Sequence, residues 1–161
     1  MKKFVLAAVA VALSSGSAYA ATANGSATAE VVAPITLTHT AAATINFGMI
    51  DPGAGGSVTV TAGNVRTASG VTLLAAGPAS SADAFTVGGG ANRGYTIGTA
   101  AGTVTNAGGV TMNFTTTPSA LTSTLSVGGT DSFTVGGTLT VVAGQATGSY
   151  TGSYVATVLY Q

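Results

Sequence analysis

The 161-residue chain carries few groups that could do chemistry. Its one histidine is His39, its four carboxylates are Glu30, Asp51, Asp83 and Asp131, and its only cations besides Lys2 and Lys3 are Arg66 and Arg93. A hydrolytic or metal-assisted site needs several such groups converging. His39 lies in Thr36-Leu37-Thr38-His39-Thr40, where it reads as a general base or metal ligand, or as a polar residue at a strand end. No second histidine exists to share a metal, so the strand-end reading is the expected one. The carboxylates are widely spaced. Asp51 precedes Pro52-Gly53 as a turn residue does, and Asp83 and Asp131 each stand just before a candidate strand, which again suits turn chemistry. There is no cysteine, which removes thiol nucleophiles, thiolate metal sites and disulfides together. No glycine run is followed by Lys-Ser/Thr or opens a helix, so no phosphate cradle is expected. The residues predict no enzyme, no cofactor and no metal.

The first twenty residues read as an address, not as fold. Lys2 and Lys3 precede an apolar run over 4–13, and Ala18-Tyr19-Ala20 supplies the small residues a signal peptidase reads. The run is too short to span a bilayer, which takes about 20 apolar residues. A secretory signal peptide is therefore expected over 1–20, with a mature chain starting at Ala21 and no membrane span in it. Removing twenty residues from 161 leaves 141, enough for one domain with a real core. Two arginines against four carboxylates give the mature chain a formal charge of −2, which excludes an electrostatic nucleic-acid footprint. With no lysine left, sheet edges lack the charge that usually guards them. Either partners cover those edges, or threonine and serine alone keep the chain soluble.

The elements that must position these residues read as strands. Thr, Val, Ala and Gly dominate, and glycine clusters interrupt the chain at short intervals, as in many antiparallel strands joined by turns. Strands are expected over 33–38, 44–50, 57–61, 71–75, 84–87, 94–98, 109–115, 124–127, 132–142 and 149–160. Gly136-Gly137 is either a two-residue hairpin turn or a bulge inside one long strand. Phe-Thr-Val-Gly-Gly occurs at 85–89 and again at 133–137, but two copies 48 residues apart do not make a solenoid. A small outer-membrane barrel is disfavoured by the few aromatics and by the end Tyr160-Gln161.

Two segments stand out. Over 21–31 the alternation has no exception. Ala21, Ala23, Gly25, Ala27, Ala29 and Val31 share one face, and Thr22, Asn24, Ser26, Thr28 and Glu30 share the other. Period two over eleven residues predicts a strand. Its apolar face is small, so it would gain most by slotting into a narrow groove with edges on both sides, or it is an ordinary first strand of its own domain. At the other end, Tyr154, Ala156, Val158 and Tyr160 alternate with Val155, Thr157, Leu159 and Gln161. Both faces carry apolar residues, which predicts a strand buried on both sides or central in a sandwich. Left open, so long an apolar edge would aggregate, so something must pair with it.

The C-terminus resembles the pilin subunits of chaperone–usher pili, whose signature is a penultimate tyrosine and a glycine fourteen residues from the end, here Tyr160 and Gly148. The mature chain as a whole resembles the pilin-like domain-of-unknown-function family 4402. The stretches that carry the likeness are Ile45-Asn46-Phe47-Gly48-Met49-Ile50, Ala84-Phe85-Thr86-Val87, Val135-Gly136-Gly137-Thr138-Leu139-Thr140-Val141, and 148–161. The resemblance implies an all-β, immunoglobulin-like sandwich missing its last strand. It implies a groove beside the C-terminal strand, lined by Gly148, Tyr154, Ala156, Val158 and Tyr160. A periplasmic chaperone would fill that groove first, and the N-terminal strand of the next subunit would replace it, with an outer-membrane usher as the assembly site. Residues 21–33 would be the donor strand, with Gly25 on its inward face, and 34–161 the pilin-like domain; Pro34 marks a plausible break. The expected function is structural, a subunit of a surface filament (a pilus or fimbria) built from identical or related subunits. The alternatives are an adhesin binding module and a self-contained secreted sandwich of a surface layer or matrix. Many related pilins carry a disulfide, which this chain lacks.

Overall fold

A computed structural model of the chain describes residues 20–161. The signal peptide expected over 1–20 lies outside these residues, Ala20 excepted. The chain divides into two units, Met1–Glu30 and Val31–Gln161. In the first, residues 20–30 are all exposed and form no strand. The alternation over 21–31 predicts one, and the difference has a physical reason. A strand is completed only by a neighbour's ladder. A face of four alanines, a glycine and a valine offers only a few kcal/mol on burial, at about 0.8 kcal/mol per CH₂, so period two alone cannot hold the segment against a surface.

The second unit is all-β. Its strands are β1 (Thr36–His39), β2 (Ile50–Asp51), β3 (Gly56–Val60), β4 (Arg66–Ser69), β5 (Thr72–Leu73), β6 (Asp83–Gly88), β7 (Gly94–Thr99), β8 (Gly102–Asn106), β9 (Thr111–Pro118), β10 (Thr122–Thr124), β11 (Thr130–Val141), β12 (Tyr150–Ser153) and β13 (Ala156–Tyr160). The strand pairs are antiparallel. One curled sheet runs β1-β6-β11-β9-β8-β12, with β3 and β4 attached beside β11. A second sheet runs β10-β7-β13, and β2 and β5 form a short pair. Phe85, Val87, Phe133 and Val135 from the first sheet pack with Tyr95 and Ile97 from the second, so the two share one apolar interior in a sandwich-like arrangement.

The organising strand is β11. Its inward residues Phe133, Val135, Leu139 and Val141 are buried, while Thr138 on the outer face meets Thr59 of β3, hydroxyl to hydroxyl, at 2.9 Å. β-Branched threonine suits such a pleated, solvent-facing surface. Gly136-Gly137 makes no hairpin. It sits inside the single twelve-residue strand, where one edge passes from β6 (partner of Thr130 to Val135) to β3 (partner of Gly137 to Val141). β9 holds the opposite edge from Val135 to Leu139. A Cβ at Gly136 would run into the Val60 carbonyl oxygen, so only glycine lets the two backbones meet there.

The repeated Phe-Thr-Val-Gly-Gly falls on β6 and β11, which are neighbours. Phe85 stands directly opposite Phe133, and their rings stack at 5.2 Å with planes 14° apart. Elsewhere the pattern misleads. The strand expected over 44–50 is only a bridge between Asn46 and Ser81 followed by β2, because Gly48 takes a left-handed φ of +69° that breaks an extended run. Asp51 behaves as expected, accepting from the Gly53 amide at 3.1 Å in a turn. Asp83 and Asp131 do not. They are the first and second residues of β6 and β11, and their carboxylates point into the sandwich.

Candidate functional site

The C-terminal segment forms β12 and β13, paired respectively with β8 and β7. The Ala100 amide donates to the Val155 carbonyl at 2.9 Å and carries the ladder across the break between them. The segment thus runs along one continuous partner, first at the edge of the curled sheet and then at the edge of the three-stranded sheet. Its other edge has no strand partner among the described residues. This corrects the expectation of a strand buried on both sides or central in a sandwich. Val155 and Leu159, which suggested a second buried face, are 62% and 66% exposed. Apolar residues on both faces reflect an open edge here, not an interior position.

The inward row behaves differently. Tyr154, Ala156, Val158 and Tyr160 are half-buried and pack on the interior around Phe85, Val87 and Phe133. Ile35 and Leu37, at and before β1, do the same from the facing side. β1 is also open on one side, since it pairs only with β6. The two edges run in opposite directions. Tyr160 touches Gly90, close to Gly88, the partner of Thr36 at the start of β1. Tyr154 meets Asp83 and Phe85, beside His39 at the end of β1. β1 and β13 come within 8 Å of each other, Cα to Cα, and the half-buried apolar rows of the two edges meet in the shallow groove between them.

The Tyr154 end widens into a cavity of about 1250 Å³, lined by Phe47, Phe114, Leu139, Tyr150, Tyr154 and His39 among others. Phe114 meets Tyr154 edge-on at 6.1 Å. Gly148 also lines this end, in the loop before β12, with a φ of +141°. Of the five residues, Gly148 and Tyr154 line this cavity, while Ala156, Val158 and Tyr160 lie beyond it along β13.

Polar groups tie the walls to the floor. Tyr154 donates its hydroxyl to the buried Asp83 carboxylate at 2.9 Å, and His39 Nε2 meets the other carboxylate oxygen at 2.7 Å. Asp83 therefore links a residue of each wall. Burial and the Asp83 carboxylate push the Tyr154 phenol above its ordinary value. A second aspartate–tyrosine pair joins β11 to β7. Tyr95 donates to Asp131 at 2.8 Å, and Ser123 donates to the same oxygen at 2.6 Å. The Ser123 hydrogen bond leads in holding the Asp131 carboxyl below its usual range, while burial pushes the Tyr95 phenol up to about 12. At the far end, Tyr160 accepts from the Gly90 amide at 2.6 Å and donates to the Ala33 carbonyl at 2.8 Å.

The sequence singled out Tyr154 and Tyr160 by their alternation, but not Asp83, His39, Ile35, Leu37 or Ala33 as parts of one site. Asp83 pairs with tyrosine 71 residues away, a contact no local spacing signals. Among the described residues, no three of His, Cys, Asp and Glu gather as a metal set would. Ala21, Ala23, Gly25, Ala27 and Ala29 are exposed and outside any strand, and Val31 is 95% exposed.

No curated protein and no solved structure matches the chain. A family model does match, over residues 35–160, from just before β1 to the last residue of β13. The match takes in both walls of the groove and its floor, and by it the chain belongs to the family described as Domain of unknown function (DUF4402).

Proposed function

We propose that the chain is a non-catalytic structural subunit of a bacterial surface filament, exported through the periplasm and polymerised head to tail by strand exchange. In this reading the Val31–Gln161 unit is an immunoglobulin-like sandwich lacking its last strand, and residues 21–33 of a neighbouring subunit supply that strand. The observation that carries it is the open edge of β12 and β13, whose half-buried apolar row lies beside a second strand open on one side, β1, which would part from β13 to admit a strand at about 4.8 Å spacing on each side. Exposed apolar edges of this kind pair with whatever strand reaches them. The alternating 21–31 segment is exposed and outside any strand, and its alanine and glycine face has side chains small enough for a slot between two backbones. Each ladder hydrogen bond adds about 0.5–1.5 kcal/mol net, so main-chain pairing would dominate the binding, as in other cases of strand addition. A periplasmic chaperone would cover the same edge before subunits meet, and an outer-membrane usher would then pass the subunits outward. Because donor and acceptor are different surfaces, the contact generates an open filament instead of a closed ring.

The test is to shear the surface fraction from producing cells and separate it on a denaturing gel, with and without boiling. A ladder of multiples that collapses on heating supports non-covalent exchange. One monomer band in both lanes moves the protein to the self-contained sandwich. Gly25→Arg, which puts a bulky charge on the inward face of the donor, is expected to abolish the ladder; filaments formed by this variant would remove the donor assignment.

A further inference from the structure

A groove that accepts residues 21–31 of another copy could in principle be filled by the chain's own copy of that segment. Tethering makes the internal segment the more concentrated competitor, so the fold must disfavour it. Residues 21–31 join β1 at the Tyr160 end of the groove. To fill its own groove, the segment would have to reverse within 32–35 and run antiparallel to β1. It would then lie parallel to β13, since β1 and β13 run oppositely. Parallel pairing is slightly weaker per residue, and the strand pairs of this fold are antiparallel. A segment from another molecule enters without a turn and is free to pair antiparallel to β13.

The local sequence also resists the reversal. Val31-Val32-Ala33-Pro34 holds two β-branched residues and no Gly, Asn or Asp, which two-residue hairpins require. Ala33 precedes proline, which biases it to extended backbone. Its carbonyl is then held by the Tyr160 hydroxyl at 2.8 Å, while that hydroxyl accepts from Gly90 at 2.6 Å. The strap sits at the mouth of the groove, where a turn would have to swing.

We infer that Tyr160 is a positioning residue that straps Ala33 and so keeps the chain from filling its own groove, leaving the groove for a second copy. This rests on the strand-exchange reading above. The test uses the full mature chain, refolded at equal concentrations, with mass read by light scattering and the 21–31 segment read by protease sensitivity. Three proteins are compared: the unaltered chain, Tyr160→Phe, and a chain with four residues, Gly-Asn-Gly-Gly, inserted between Val32 and Ala33. The unaltered chain is expected to form multiples. Losing the strap is expected to raise the ratio of protease-protected monomer to multiples by roughly fivefold, the worth of one net hydrogen bond. The insertion keeps Tyr160 but supplies a turn, and is expected to raise the same ratio. Should Tyr160→Phe fail to refold, the insertion decides. If both variants, or the insertion alone where it must decide, form multiples like the unaltered chain, the strap has no such role and strand exchange still stands. If the unaltered chain is monomeric with 21–31 protected, it fills its own groove and the inference fails. If it is monomeric with 21–31 cleaved, the strand-exchange reading fails first and takes the inference with it.

Discussion

At the scale of single residues, the working polar groups are two aspartates, each accepting a hydrogen bond from a tyrosine across the sandwich. Asp83 takes Tyr154 and His39, and Asp131 takes Tyr95 and Ser123. A buried carboxylate is tolerated because its lone pairs are used. Tyr154→Phe keeps the ring packing on Phe85 and Phe114 but leaves one oxygen of Asp83 unpaired. The expected loss is about 1–3 kcal/mol, read as a lower urea midpoint with an unchanged slope. The phenols also set an alkaline limit. A group whose folded value is raised contributes stability that is intact below its unfolded value and lost as pH climbs through the folded one. With Tyr95 pushed up to about 12 from 10.0, the urea midpoint should hold to about pH 10 and fall from there to 12. Tyr95→Phe should remove phenolate absorbance only near pH 12 or on unfolding, and a loss near pH 10 would mean that the Tyr95 hydroxyl is not held. Asp131 works in the opposite sense: its lowered value contributes stability present above the ordinary carboxylate value of 3.8 and lost as acid takes the pH below it.

At the scale of elements, β11 decides how the curled sheet closes, and Gly136 decides whether β11 can serve β6 and β3 along one edge. Gly136→Ala puts a methyl against the Val60 carbonyl and the Ala62 amide. Backbone cannot yield there as a flexible side chain would, so the variant is expected to lose about 1–3 kcal/mol, the range for overpacking, with amide exchange in β3 rising before that in β6. Equal loss in both strands would show that β11 does not divide its edge in this way. Legibility in the sequence follows the same line. The alternation of 154–160 was readable because side-chain period survives at an edge. Which edge stays open was not, because Val155 and Leu159 look buried in a one-dimensional pattern and are exposed in the sheet. Gly136-Gly137 allowed a turn or a continuous strand, since its glycines answer to a close approach from β3, residues distant in sequence. The aspartates read as turn residues because a turn is a local explanation, and their true partners lie 71 and 36 positions away. Likewise β4, Arg66-Thr-Ala-Ser69, has no apolar alternation and exists by pairing with β3.

At the scale of the whole molecule, β1 and β13 are each open on one side, and the interior reaches the surface beside them. Ile35, Leu37, Ala156, Val158 and Tyr160 are apolar residues only partly removed from water, and the cavity at the Tyr154 end leaves Phe47 and Phe114 with unfilled space beside them. Filling that line should stabilise the fold by mass action, independently of any filament. A synthetic peptide of residues 21–33, added to a chain of residues 21–161 carrying Gly25→Arg so that the proposed self-assembly does not intervene, is the direct probe. At a hundredfold excess over its dissociation constant the expected gain is about 2.7 kcal/mol, which for a domain of this size raises the thermal midpoint by roughly 8–15 °C. The same peptide carrying Gly25→Arg should give no rise. A scrambled peptide of equal composition controls for alanine-rich segments that stick to any edge. Equal shifts from all three would mean that the groove takes strands without regard to register, and that alternation in 21–31 has another purpose. A shift from the native peptide alone would place Gly25 opposite the acceptor strand and tie the N-terminal pattern to the C-terminal edge by a measured free energy.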